Sequence, residues 1–287
     1  MNMRKYFQFI GVRSWPSSSE RALSPAVEAS SPGTLLNPLV DPEPVEVVNA
    51  DSDSPLLLVC EHAGQAIPRG LAKLGLSEAA LALHIAYDIG AERLARQLAG
   101  RFGCRLILQR YSRLVIDCNR PPGSAQSIPA VSDRVAIPGN AALSAEGRRR
   151  REAEIFAPYA EACHREAARA GIRYAFSLHS FTPVMQGLPR PWDVGFLYRD
   201  RCSRAERLLD LARDLWPEMT IGDKQPYGID EETDWFIPAC AEKRRIPHCL
   251  IEVRNDHLSD DDGCRLWADH LYSLMTHFME SVDATDP

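Results

Sequence analysis

The stretch LLLVCEHAG, residues 56–64, decides the fold of this chain. Its first five residues, 56–60, are all apolar, which predicts a short strand buried on both faces, because a half-exposed strand would alternate with polar residues. The polar residues Glu61 and His62 follow directly and stand at the carboxyl end of that strand. Such a strand is typical of an α/β protein, in which helices cover both faces of a central sheet.

After residue 51 the sequence alternates between apolar segments and amphipathic segments with helical spacing. The apolar segments predict strands over residues 56–60, 104–109, 113–119, 174–180, 193–198 and 248–256. The amphipathic segments predict helices over residues 77–103, 144–171 (interrupted near Pro158), 201–216 and 259–282. This alternation predicts a sheet with helices on both faces.

Residues 1–45 differ from the rest of the chain. They are rich in Ser and Pro, start with basic residues and show no helical or strand periodicity. They also lack the apolar core and the small-residue cleavage site of a secretory signal. We therefore predict a flexible or loosely packed arm over residues 1–45 and a single α/β domain over residues 46–287.

Composition excludes several classes of partner. The chain has 33 Lys and Arg against 39 Asp and Glu, a formal net charge of −6, which argues against nucleic acid. No apolar run comes near the roughly 20 residues of a membrane-spanning helix, so no membrane partner is expected. The eight cysteines form no CxxC pair and several lie in apolar runs, which predicts reduced thiols and a cytoplasmic location.

Polar side chains follow several of the predicted strands. His62 and His179 each end an apolar run, and Glu252 stands near the end of another. Ligands bind at the carboxyl ends of strands in such sheets, and zinc takes imidazole and carboxylate ligands. A single histidine at a strand end is more often structural, and the spacing lacks the specificity of HExxH. The pattern alone therefore indicates an α/β hydrolase that could depend on a metal.

Eight segments between residues 55 and 272 resemble, in the same order, the N-formylglutamate amidohydrolase family. They are VCEHAG (59–64), HIAYDIGA (84–91), YSRLVIDCNRPP (111–122), SDRVAIPGN (132–140), SLHSFTPV (177–184), RPWDVGFLY (190–198), QPYG (225–228) and IEVRND (251–256). The resemblance implies a three-layer αβα sandwich with a mixed central sheet, phosphorylase/hydrolase-like and similar to zinc carboxypeptidases and aspartoacylase-like deacylases. It also implies a zinc-dependent hydrolysis of N-formyl-L-glutamate to formate and L-glutamate, a reaction of histidine degradation.

The resemblance also implies metal ligands. His62 and His179 correspond to the two histidine ligands of a Zn²⁺ site, although another divalent metal would suit the same donors. Gln65 stands where related peptidases have a glutamate ligand, and a neutral amide binds zinc poorly. We therefore expect Asp88, on the predicted helix, to be the third ligand; a surface position for that carboxylate is the alternative. His84, four residues earlier, would lie on the same helical face, either oriented towards Asp88 or as a core histidine.

Glu252 matches the position of the general base in the related peptidases. Burial at the end of an apolar strand would raise its pKa and suit it to proton transfer. Glu61 is the rival, although an extended chain would direct it to the face opposite His62.

Substrate recognition is expected from Asn119 and Arg120, which resemble the Asn-Arg pair that holds a substrate carboxylate in carboxypeptidase-like enzymes. A guanidinium offers a planar fork for such a group. Arg113 and Arg254 are further candidates for a second carboxylate; the alternative for each is a structural ion pair with a nearby aspartate. Asp230 to Asp234 read as an exposed acidic helix start. The expected partner is thus a small N-acyl amino acid.

Three segments depart from the better-known members of the family: EHAG replaces PHSG, QPYGIDEET replaces PYxGGY, and PYA replaces PYH. These departures lie on the substrate side and keep two alternatives open. One is a zinc deacylase or carboxypeptidase-like enzyme acting on another N-acyl amino acid or a peptide. The other is a non-catalytic binding protein of the same fold. A cysteine hydrolase built on Cys60 and His62 is a remote third.

Overall fold

The computed structural model describes residues 33–199 and 204–284. A single compact unit begins at Thr34. Residues 34–45, which the sequence analysis groups with the arm, belong to this unit, because the backbone amides of Leu35 and Leu36 donate to the Glu154 carboxylate at 2.8 and 2.9 Å. Residues 1–32 of the predicted arm lie outside the described residues.

Eleven strands are found in the described chain, seven of them in one central sheet. They are β1 (Val45–Val48), β2 (Leu56–Cys60), β3 (Arg105–Gln109), β4 (Val131–Ser132), β5 (Val135–Ala136), β6 (Tyr174–Phe181), β7 (Val184–Met185), β8 (Leu188–Pro189), β9 (Val194–Leu197), β10 (Ile221–Asp223) and β11 (His248–Arg254). The sheet order is β1-β3-β2-β6-β11-β9-β10. Strands β3, β2, β6 and β11 run parallel, while β1 and β9 pair antiparallel with their inner neighbours. Two separate hairpins, β4–β5 and β7–β8, lie outside this sheet.

Helices cover both faces of the sheet. They are α1 (Glu78–Leu81), α2 (Ala91–Phe102), α3 (Pro138–Ala141), α4 (Ala145–Arg151), α5 (Ala157–Ala167), α6 (Ala205–Leu215) and α7 (Asp261–Asp283). Helices α2, α6 and α7 pack with one face of the sheet into one buried cluster, and α5 packs on the other face with the π-helical turn Ile237–Ala241. The predicted sandwich of three layers around a mixed sheet is confirmed.

The predicted strands 56–60, 104–109, 174–180, 193–198 and 248–256 are confirmed within a few residues. The strand predicted over 113–119 is wrong. Its apolar residues Leu114, Val115 and Ile116 are buried in the second cluster without pairing to a neighbouring strand. Burial alone therefore accounts for the apolar run, since an apolar segment of this length does not specify backbone pairing.

The helix predicted over 77–103 is divided. Helix α1 ends at Leu81, an irregular segment follows, and α2 begins after Gly90. Gly90 has a φ of +80°, and a Cβ there would lie 2.4 Å from the Cβ of Leu258. Only glycine combines that left-handed conformation with such close packing. The long helix predicted over 144–171 is present from Ala145 to Ala167, with a π-helical turn just before Pro158.

The described cysteines are free and buried, in agreement with the sequence analysis. In the part of the chain that the structure describes, no helix combines the length and the apolar character needed to cross a bilayer.

Candidate metal centre

The carboxyl ends of parallel strands bring the predicted histidines together. His62 lies two residues beyond the end of β2, and His179 lies near the end of the adjacent strand β6. The register pairs His179 with Glu252 of β11, so these two side chains stand next to each other on one face of the sheet. All three are buried, with at most 6% of their surface exposed.

Asp88 joins the two histidines from the irregular segment before α2, and not from a helix. Its backbone amide donates to the His62 carbonyl at 3.0 Å, which ties the segment to the end of β2. Its Oδ2 lies 3.3 Å from His62 Nδ1 and 2.8 Å from His179 Nδ1. The three side chains each offer one ligand atom, and these atoms lie within 4.8 Å of one another. Gln65 is exposed and takes no part.

A carboxylate holds the far side of each imidazole. His62 Nε2 is 2.7 Å from Asp117 Oδ1, and His179 Nε2 is 3.0 Å from Glu61 Oε2. Histidines that bind metal ordinarily donate their other ring N–H to a carboxylate, which directs the remaining lone pair at the metal. When both Nε2 atoms carry the proton, they donate outward to Asp117 and Glu61, and both Nδ1 atoms are left to bind a cation beside Asp88.

Glu61 therefore does not point away from the site, as an extended chain would have required. The chain leaves the strand at Cys60, and the Glu61 carboxylate is buried against His179 and accepts a 2.7 Å hydrogen bond from the Ser177 hydroxyl. Cys60 is fully buried, and burial raises the pKa of its thiol well above the usual range, which makes it unsuited to act as a nucleophile.

Arg113 lines the site, but its guanidinium is already engaged. Nη1 donates to Asp88 Oδ1 at 3.1 Å, while Nε and Nη2 donate to Asp117 Oδ2 at 3.2 and 2.7 Å. It thus fixes two of the carboxylates around the histidines, which is the structural ion pairing considered as the alternative for this residue.

The electrostatics of this cluster favour a cation. Burial opposes ionisation of Asp88 and Asp117, but the histidines and Arg113 outweigh it and hold the pKa of both carboxyls below the usual range. Burial likewise opposes charge on His179, but Glu61 and Asp88 outweigh it and raise the pKa of that imidazole. The cluster contains one guanidinium, that of Arg113, and three carboxylates, those of Glu61, Asp88 and Asp117. Two negative charges are therefore uncompensated within it when both imidazoles are neutral. Donor chemistry and charge both fit a divalent metal ion.

The centre forms the inner end of a cavity of about 830 Å³. Glu252 lines this cavity, and its Oε2 has no hydrogen-bond partner among the described residues. Burial raises the pKa of Glu252 to about 7. The structure thus places a carboxyl with free hydrogen-bonding capacity next to His179.

Asn119 and Arg120 lie in the same cavity, in different roles. The Asn119 side chain donates to Asp234 at 3.0 Å and accepts from the Trp235 amide at 3.2 Å, so both ends of its amide are held within the protein. Arg120 Nη1 donates to the backbone carbonyls of Asn119 and Thr233. Asp234 is buried, which corrects its interpretation as part of an exposed acidic helix start.

Two other expectations differ from the structure. Arg254 is not among the residues that line the cavity; it pairs with Asp193 at 3.3 Å and Asp256 at 2.8 Å, which is the structural alternative. His84 lies in the cavity wall but pairs with Asp133 at 3.2 Å and not with Asp88. The helix that was expected to bring His84 and Asp88 to one face ends before both residues.

Sequence reasoning missed Arg190 and Tyr227. Both line the cavity, and Arg190 Nη2 donates to the Tyr227 hydroxyl at 2.7 Å. The available signal was that both residues lie in segments that carry the family resemblance, RPWDVGFLY and QPYG. Neither residue directly follows an apolar strand. Their separation by 37 positions also gives no indication in the sequence that their side chains are in contact.

Comparison with known proteins identifies the family of this chain. The family model of N-formylglutamate amidohydrolase matches residues 54–259. The crystal structure of gene product Atu2144 from Agrobacterium tumefaciens is 32% identical, with a TM-score of 0.82, over 87% of this chain and 99% of that one. An N-formylglutamate amidohydrolase from Ralstonia eutropha JMP134 is 20% identical, with a TM-score of 0.66, over 85% of this chain and 100% of that one, and shares the fold. The search of curated proteins returned no match. The chain belongs to the N-formylglutamate amidohydrolase family.

Proposed function

We propose that this chain is a zinc-dependent amidohydrolase that cleaves N-formyl-L-glutamate to formate and L-glutamate. Membership of the family supports hydrolysis of an amide bond. One observation carries the metal dependence: the Nδ1 atoms of His62 and His179 converge with Asp88 Oδ2, while a carboxylate holds the far nitrogen of each ring.

His62, Asp88 and His179 would hold the metal. Two imidazoles and one carboxylate form a donor set that zinc accepts in catalytic sites, where a fourth position stays open. When bound, zinc supplies Lewis-acid polarisation of the scissile carbonyl and lowers the pKa of water. The ring orientations that this chemistry needs are provided beforehand by Glu61 and Asp117.

Glu252 is the proposed general base and acid. Its Oε2 is uncommitted among the described residues, and it stands next to His179, at the inner end of the cavity. A carboxyl with a pKa near 7 can take a proton from the attacking water and then pass it to the nitrogen of the leaving amine. This second transfer releases L-glutamate with a neutral or protonated amine.

Arg120 is the proposed partner of a substrate carboxylate. It lines the cavity, and the hydrogen bonds described for its guanidinium go to backbone carbonyls and not to a carboxylate. Asn119 helps to position Arg120, because its backbone carbonyl accepts from Arg120 Nη1 and its own side chain is held by Asp234 and Trp235. Arg113 acts through Asp88 and Asp117.

A second candidate reaction is the deacylation of another N-acyl amino acid. A cavity of about 830 Å³ is large for a formylated amino acid, and apolar side chains of the hairpins β4–β5 and β7–β8, among them Val131 and Met185, form part of its wall. These features would accommodate a larger acyl group. For either reaction we propose a cytoplasmic enzyme, since the described cysteines are free thiols.

The test is hydrolysis of a substrate series by zinc-loaded protein, with and without a chelator. N-formyl-L-glutamate, N-acetyl-L-glutamate and a longer N-acyl-L-glutamate are compared by release of free L-glutamate. We expect chelator-sensitive release that is fastest for the formyl compound. Fastest release from a longer acyl compound would favour the second reaction, and binding of these compounds without hydrolysis would favour the non-catalytic alternative.

A further inference from the structure

The segments RPWDVGFLY (190–198) and QPYG (225–228) have no role in the chemistry described above, yet they meet at the cavity. Gly195 in β9 pairs with Glu252 in β11, and the Gln225 carbonyl oxygen would lie only 1.8 Å from a Cβ at Gly195. Glycine is therefore required where the loop crosses the strand. This crossing brings the loop that carries Tyr227 to the strand position paired with Glu252.

The contact between these segments ends in one pair of side chains. Arg190 Nη2 donates to the Tyr227 hydroxyl at 2.7 Å, and the guanidinium carbon lies 4.7 Å from the centre of the tyrosine ring. Both the hydrogen bond and the cation–π contact hold the guanidinium in one orientation against the cavity.

Arg190 also has hydrogen-bonding capacity left. Its Nη1 is buried and has no hydrogen-bond partner among the described residues. Arg113 and Arg254, by contrast, each pair with two aspartates. Leaving a buried cationic donor unsatisfied is unfavourable, so the Arg190 guanidinium is suited to a ligand that brings an anionic acceptor.

The position of the pair differs from that of Arg120. Tyr227 and Glu252 both line the cavity, and the loop that carries Tyr227 crosses Gly195, the strand partner of Glu252. Arg190 directly follows the β7–β8 hairpin, whose Gln186 carbonyl accepts a 2.8 Å hydrogen bond from Arg134 of the β4–β5 turn. Arg120 instead contacts the backbone of Asn119, next to Asp117. The two guanidiniums therefore have different partners in the cavity wall, Tyr227 for Arg190 and the backbone of Asn119 and Thr233 for Arg120.

We propose that Arg190 and Tyr227 form a subsite for the side-chain carboxylate of a dicarboxylic N-acyl amino acid. This subsite is separate from Arg120, the proposed partner of the carboxylate next to the amide. This inference rests on the proposed function and makes it more specific. The guanidinium donates from Nη1 to the carboxylate, and the Tyr227 hydroxyl, which accepts from Nη2, donates its own proton to the same group. A neutral amide side chain offers Nη1 an acceptor without a charge, so the selectivity of the subsite comes from the charge-assisted part of this hydrogen bond.

The test compares N-formyl-L-glutamate with its neutral isostere N-formyl-L-glutamine in wild type, Arg190→Gln and Tyr227→Phe. We expect Arg190→Gln to raise KM for the glutamate compound by about 10- to 100-fold with little change in kcat, as expected when a charge-assisted hydrogen bond is lost. KM for the glutamine compound should rise much less, because only a neutral hydrogen bond is lost, and Arg190→Lys should restore part of the preference. Tyr227→Phe should act in the same direction with a smaller effect.

Arg254→Gln is the matched control, because it removes a guanidinium outside the cavity and should leave the preference for the charged substrate intact. Equal losses on both compounds in Arg190→Gln would overturn the subsite, as would an unchanged preference.

Calorimetry on metal-free protein separates this inference from the proposed reaction. Tighter binding of N-formyl-L-glutamate than of N-formyl-L-glutamine, lost in Arg190→Gln, would support the subsite even if no hydrolysis of either compound were found. Hydrolysis of both compounds with equal efficiency and equal binding would overturn the subsite while the proposed reaction stands.

Discussion

The inner end of the cavity and its mouth differ in the partners of their charged side chains. At the inner end, His62, Asp88 and His179 are bound on their outer sides by Glu61, Asp117 and Arg113. At the mouth, Arg120 and Arg190 bind only neutral groups among the described residues, and the hairpins expose Val131, Val184 and Leu188. The first region is held by hydrogen bonds and ion pairs within the protein, whereas the second keeps donors and apolar surface available for a ligand.

This difference has energetic consequences. Buried charges at the inner end depend on one another, so removing one member leaves another without compensation. Partly exposed groups at the mouth can be removed without such a penalty, and their loss should appear in substrate binding. Mutations at the two ends should therefore separate into effects on metal and turnover and effects on KM.

The largest effect is expected from His179→Ala. This change removes one ligand and leaves the Glu61 carboxylate without its imidazole partner. We expect loss of bound zinc by atomic absorption, loss of glutamate release, and retention of the fold by circular dichroism. A folded variant that keeps zinc and full activity would contradict the role of this histidine.

Glu252→Gln should damage turnover and spare the metal. The amide keeps the shape of the side chain but cannot accept and return a proton, so we expect kcat to fall by about 10²- to 10⁴-fold. Zinc content and the KM for N-formyl-L-glutamate should change little. If the Glu252→Gln variant were active, the general base would have to be another group, and Glu61 would be the next candidate.

Asp117→Asn tests the outer carboxylates. It weakens the hold on His62 Nε2 and on Arg113, and we expect zinc affinity to fall by about 10- to 100-fold in competition with a chelating dye. Asp133→Asn is the matched control, because its histidine partner, His84, is not a proposed ligand. Equal losses of zinc affinity in both variants would mean that any lost negative charge in the cavity weakens zinc binding, and that the hydrogen bond to His62 has no specific role.

The smallest effect is expected from Arg254→Ala. This side chain pairs with Asp193 and Asp256 away from the cavity, so kcat/KM should stay within about twofold of wild type. Thermal unfolding should show a loss of stability on the order of 1 kcal/mol. A large rise in KM would instead restore the substrate-binding role that the sequence indicated.

The sequence predicted best where side chains follow buried strands. The apolar runs before His62 and around His179 and Glu252 specify parallel strands, and parallel strands bring their ends to one edge. Asp88 was identified through the resemblance, but its helical placement was wrong, because periodicity does not report the left-handed conformation of Gly90.

Long-range pairing limited the remaining predictions. The ion pairs of Arg113 with Asp117 and of Arg254 with Asp256 could be weighed as alternatives from the sequence because these partners are close along the chain. The pairs with Asp88 and Asp193 form only in the folded chain. Arg190 was missed because its Nη1 has no hydrogen-bond partner among the described residues, and this depends on the residues around it in the folded chain and not on its own segment. Charge type is visible in a sequence, whereas the satisfaction of a charge depends on tertiary contacts.

The central claim is that two imidazoles and one carboxylate at the inner end of the cavity hold the metal. X-ray absorption at the zinc edge of the zinc-loaded protein tests it most directly. The account predicts two imidazole nitrogens at about 2.0–2.1 Å with oxygen as the remaining ligands, and one imidazole fewer in any zinc that His62→Ala retains. Thiolate sulfur at the metal, or a spectrum without imidazole, would contradict it.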